Sequence, residues 1–124
     1  MVPKDKWDKL RKMIYRRANY RCEICNGKGP SWPVECHEEW TFNIAKGVQK
    51  LKKLTALCPA CHEVKHFGRA QVVGRADAAL KHFCKINKVS KKEAHRYLDK
   101  VFDLYEKRSQ YKWKLDISAI NQFI

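Results

Sequence analysis

Apolar residues recur at helical spacing across residues 3–19. Trp7, Leu10, Ile14 and Ala18 would share one face, with Lys and Arg filling the others. Pro3 suits the first turn of such a helix. Residues 20–30 then break the pattern and read as a knuckle-like turn. Asn26-Gly27 is a turn signal between two short extended pieces. Residues 34–42 switch to strand alternation, with Val34, Cys36, Trp40 and Phe42 on one parity and Glu35, His37, Glu39 and Thr41 on the other. Glu38 interrupts the apolar parity. Residues 43–53 read as a loop with some helical character, and residues 54–57 as a short second strand. Pro59 and Gly68 suit the start and stop of a helix carrying Cys61, His62, His66 and Phe67. A further helix is expected over residues 70–85. Ser90-Lys-Lys-Glu93 is a capping box for another, whose Ala94, Tyr97, Leu98, Val101, Leu104 and Tyr105 form an apolar stripe that reads as core. Residues 111–117 end in a short strand or pack back on the core. No repeat or linker interrupts the chain, so residues 1–124 read as one domain.

Charge narrows the class. Lys and Arg number 27 against 13 Asp and Glu, a formal +14. A charge that high is a solubility device or the footprint of a polyanionic partner, and the second is favoured because Lys and Arg displace counterions from phosphates. The first residues lack the apolar run of a signal peptide, and no stretch approaches the roughly 18 apolar residues of a membrane span. The expected location is the cytoplasm, with no membrane partner. The basic residues of the first helix, Arg16 and Arg17 among them, are candidates for backbone contacts with nucleic acid, although a solvated helix face explains many such charges equally well.

Cysteine spacing adds a metal. Cys22 and Cys25 form one Cys-x2-Cys pair, Cys58 and Cys61 another. Two tight turns of this kind complete a tetrahedral four-sulfur site, the arrangement preferred by structural zinc. Redox pairs or disulfides are the alternative, but a redox pair needs no matching partner and a cytosolic disulfide is unusual. Such a site has no open position for chemistry. Cys36 and Cys84 stand outside the pattern and read as small buried hydrophobes.

Histidines supply a second constellation. His62 and His66, four apart, stack on one helix face and are able to chelate one cation. His37, on the preceding strand, adds a third group if strand and helix pack together, which the cysteine pairs would enforce. Taken singly, each is as easily a solvated or satisfied core histidine.

These residues together resemble the HNH endonucleases. The likeness lies in Cys22-Glu-Ile-Cys25, Glu35-Cys-His37-Glu38 and Leu54-Thr-Ala-Leu-Cys58-Pro-Ala-Cys61-His62-Glu-Val-Lys65-His66, and covers residues 20–68. It implies an α+β fold: a small ββα-metal core stapled by the four-cysteine zinc, with helices flanking it on both sides and a helical extension over residues 69–124. It further implies a bacterial or phage-encoded enzyme that hydrolyses double-stranded DNA. Its cofactors would be the structural zinc and one catalytic divalent cation (magnesium, manganese or nickel). The preferred carry-over makes His37 a ligand of the catalytic cation with His62 and His66, and Glu38 the general base. The other makes His37 the base and gives Glu35 a ligand or orienting role. Lys53 stands where the family has its middle Asn, the residue that fixes the loop positioning the base. Lys53 and Lys65 become candidates for phosphate contacts. Two further functions fit the residues: a non-catalytic zinc module that binds nucleic acid, and a small protein whose charge answers an acidic protein partner.

Overall fold

A computed structural model of the chain describes residues 2–123. Helix α1 spans Lys4–Arg17 and buries Leu10 and Ile14, with Trp7, Tyr15 and Ala18 packed beside them. Pro3 stands at the N-cap, one position earlier than expected, and its carbonyl accepts the Trp7 N–H. Asn19 and Tyr20 both adopt left-handed backbone, which ends the helix and turns the chain into the first cysteine pair. The extended pieces expected around Asn26-Gly27 are absent; the segment is held by turns. Gly29 is required there, because a Cβ would collide with the Trp32 carbonyl oxygen and lie 2.6 Å from the Pro59 ring.

Strands β1 (Glu35–Asn43) and β2 (Val48–Leu57) pair antiparallel, and β3 (Lys114–Asp116) adds to β2 in parallel, giving the order β1-β2-β3. Strand β2 is ten residues long, not the four expected from the sequence. The cause is a register shift. Glu39 faces Lys53 and Trp40 faces Leu51, so Lys52 has no partner. An extra residue of this kind puts Leu51 and Leu54 on the same face although they lie three apart, a spacing that imitates a helix. Both are buried under α1 with Val34, Ala56 and Ile120. Gly47, at φ +64°, closes the hairpin, and Asn43 caps it by accepting the Lys46 N–H through its side chain.

Helix α2 (Pro59–Lys65) is shorter than expected. It breaks at His66, and α3 (Phe67–Val72) continues from there with Gly68 inside it rather than after it. Gly74, at φ +77°, separates α3 from α4 (Ala76–Asn87), where one helix was expected. Lys88 ends α4 in left-handed backbone. Ser90 caps α5 (Lys91–Ser109) as the capping box predicts, its hydroxyl accepting the Glu93 N–H. Helices α3, α4 and α5 share a second core of Phe67, Ala70, Ala79, Leu80, Ala94 and Leu98.

The α5 stripe is a correction. Tyr97, Val101, Leu104 and Tyr105 are exposed, and only Ala94 and Leu98 are buried. Phe102 still packs against the second core while Tyr97, earlier in the helix, is exposed, so the neighbours of α5 cover only a narrow strip of it. The end of α5 returns to the sheet through Arg108, whose guanidinium lies 4.0 Å from the Phe42 ring centroid. The architecture is α+β. Among the described residues no helix is long and apolar enough to cross a membrane.

Candidate metal centres

The sulfurs of Cys22, Cys25, Cys58 and Cys61 all lie within 4.8 Å of one another. None of the six cysteines is in a disulfide. Local backbone explains how they meet. The Ile24 and Gly27 N–H groups donate to the Cys22 and Cys25 sulfurs, and the Cys61 N–H donates to Cys58, the N-cap of α2. Glu23 straps the first pair to the end of β2: its N–H donates to the Ala56 carbonyl at 2.9 Å, and its carboxylate accepts the Ala56 N–H at 2.5 Å. Burial opposes ionisation of Cys22, but N–H donors at Cys25, Cys58 and Ile24 outweigh it and lower the thiol to about 7. Burial and the neighbouring cysteines push Cys61 up. Four thiolates this close repel unless a cation holds them, and four sulfurs fit a tetrahedral zinc ion.

The histidines form a second cluster on the sheet face opposite α1. His37, buried, pairs across the sheet with Thr55; His62 comes from α2 and His66 from the α2–α3 junction. Ring centroids are 5.3 Å (His37–His62), 5.5 Å (His37–His66) and 4.8 Å (His62–His66) apart. One nitrogen from each ring falls within 4.8 Å of the others. Glu35 accepts a hydrogen bond from His62 Nδ1 at 2.8 Å and another from Trp32 Nε1, also 2.8 Å. A carboxylate only accepts, so His62 carries its proton on Nδ1 and keeps the Nε2 lone pair for a ligand, as carboxylate-backed histidines do in metal sites. His37 Nδ1 is buried and has no hydrogen-bond partner among the described residues. A buried nitrogen left so is costly unless an ion or water meets it.

No protein-family model, curated protein or solved structure matches this chain.

Burial, reinforced by His62, His66 and Lys65, lowers His37 to about 4. Burial, with His62 and Arg69, also lowers His66. The folded value for His37 lies below the 6.5 of a free ring, so the unfolded chain binds that proton first. The contribution of neutral His37 to stability is complete above about pH 6.5 and is lost as pH falls toward 4. An NMR titration of the zinc-loaded chain, with no second cation added, should show the His37 ring neutral until near pH 4. Ordinary protonation near pH 6.5 would mean that the ring is solvated.

The other residues singled out in the sequence divide. Glu35 joins the cluster. Glu38 does not: it follows His37 in a strand, points to the opposite face, and is exposed where β1 forms the sheet edge. Its charge acts on Cys36, raising that thiol to about 11 after burial, the larger cause. The parity break at Glu38 thus reflects an exposed edge. Lys53 pairs with Glu39 at 3.6 Å. Lys65 is exposed at the end of α2, and Arg16 is exposed in the last turn of α1. Arg17 donates to the Leu54 carbonyl at 2.8 Å and so ties α1 to β2. Cys36 packs against the first core and Cys84 against the second. Trp32, Glu23 and His82 were not visible in the sequence. Trp32 lies three residues before Glu35, but no spacing rule marks it, and His82 meets Cys61 only through tertiary packing.

Proposed function

We propose that this chain is a metal-dependent endonuclease that hydrolyses DNA phosphodiester bonds at the histidine cluster, with zinc at the four cysteines as a structural clamp. The observation that carries the reading is the convergence of three imidazoles from a strand and a helix, one backed by Glu35 and one with a buried, unpartnered nitrogen. The charge of +14 supports a polyanionic substrate, and the resemblance to HNH endonucleases points the same way.

In this reading His62 and His66 would hold a divalent cation. Bound there, it would polarise the phosphate and stabilise charge on the leaving oxygen. Imidazole donors favour nickel over magnesium or manganese, which suit oxygen donors. Glu35 fixes the ring of His62, and Trp32 fixes Glu35. His37 is assigned as the base, because Glu38 faces away and His37 is neutral at working pH. It takes a proton from water as the water oxygen bonds to phosphorus and the bond to the leaving sugar oxygen breaks; a second water protonates that oxygen, and the hydroxide left takes the proton from His37 and restores the base.

The test is a plasmid-nicking assay on the zinc-loaded chain with magnesium, manganese or nickel, each with and without chelator. Nicking that needs the added metal is expected. Salt-sensitive DNA binding with no nicking in any metal would overturn the enzyme and leave a binding module; no affinity for nucleic acid at low salt would favour an acidic protein partner.

A further inference from the structure

The four cysteine sulfurs are not equally supplied with hydrogen-bond donors from the backbone. Cys22 accepts from the Ile24 N–H, Cys25 from the Gly27 N–H and Cys58 from the Cys61 N–H, each at 3.4 Å. Among the described residues no backbone N–H donates to the Cys61 sulfur. That sulfur instead lies 3.1 Å from Nε2 of His82, twenty-one positions later in the chain.

We propose that His82 completes the outer sphere of the four-cysteine centre by donating its Nε2–H to the Cys61 thiolate. The inference rests on the zinc reading of that centre. Four thiolates exceed the charge of one zinc ion by two, and each N–H donor offsets part of the surplus and stabilises the ionised sulfur. His82 supplies a donor in place of the nearby α2 amides, since the Cys61 N–H goes to the Cys58 sulfur and the His62 N–H to the Cys58 carbonyl. The placement is built into α4. Ile86, one turn beyond His82, packs against the same cysteine cluster, so both face α2. His82 is a positioning residue, and it also makes α4 a part of the metal site rather than a neighbour of it.

Three measurements on the full chain test the proposal. By chelator competition, H82A should hold zinc about 10–100-fold more weakly than wild type. The metal-bound sulfurs of H82A should react faster with an alkylating agent, because a thiolate stripped of its donor is the better nucleophile. H82Q, whose side-chain amide keeps an N–H, should recover part of both effects. In wild type loaded with cadmium-113, magnetisation should pass from the metal through the sulfur to the His82 ring proton, a signal that packing alone does not produce. If H82A fails to fold, H82Q and the cadmium experiment still decide. Unchanged zinc affinity and unchanged alkylation in folded H82A, or no cadmium coupling to His82, would overturn the proposal while leaving the zinc site intact. A wild-type chain that binds neither zinc nor cadmium would overturn the zinc reading and this inference with it.

Discussion

Replacing Cys58 with Ser should release the metal and unfold most of the chain at room temperature. Cys58 is buried, closes the four-sulfur cluster and forms the N-cap of α2. Serine keeps an oxygen that accepts the Cys61 N–H, since Ser is a good N-cap, so the substitution separates the loss of a thiolate from the loss of a cap. Zinc binding contributes on the order of 10 kcal/mol in small zinc peptides, against a typical domain stability of about 5–15 kcal/mol. The first cysteine pair has no regular secondary structure of its own and is held by the Cys22–Gly27 and Asn26–Cys22 turn hydrogen bonds, the sulfurs and the Glu23 strap. The check is zinc stoichiometry with a circular-dichroism melt, and chelation of wild type should reproduce the variant. A C58S protein that melts as wild type does, with or without zinc, would show that the two apolar cores suffice.

The second large effect concerns the proposed cleavage. His37→Ala should lower the rate about 10²–10⁴-fold, the range of a general base, while zinc content and fold persist. The substitution removes a buried nitrogen that has no partner, so its cost in packing is partly offset. Glu38→Gln should cut at close to the wild-type rate because its side chain faces away from the cluster. The comparison is single-turnover cleavage of a labelled duplex by the two variants. A Glu38→Gln rate as low as that of His37→Ala would return the role of base to Glu38.

Much of this arrangement was legible in the chain. The cysteine spacing placed four sulfurs together, the spacing of His62 and His66 put them on one face, and Ser90 with Glu93 marked the start of α5. What was hidden has physical causes. The unpartnered Lys52 gave half of β2 the spacing of a helix. The break at His66 and the left-handed turn at Gly74 divided helices whose apolar pattern runs on. Glu38 suggested chemistry because it disturbed an alternation, yet an edge strand tolerates a charge on its open side. The α5 stripe suggested a core, but spacing does not say how wide a strip of a helix its neighbours cover. Trp32 and His82 depend on contacts that no periodicity encodes.

Helix α2 has seven residues, well below the roughly 12–15 at which an isolated helix becomes even marginal in water. Packing of Val64 on the second core supports it, and under the proposed function a zinc ion among the sulfurs at its first turn would anchor it and the spacing of the two imidazoles it presents. Under the proposed function, an oxidant or thiol reagent acting on the cysteines would silence a hydrolytic step it never touches. The lifetime of the cutting geometry would be the residence time of an ion that takes no part in cutting.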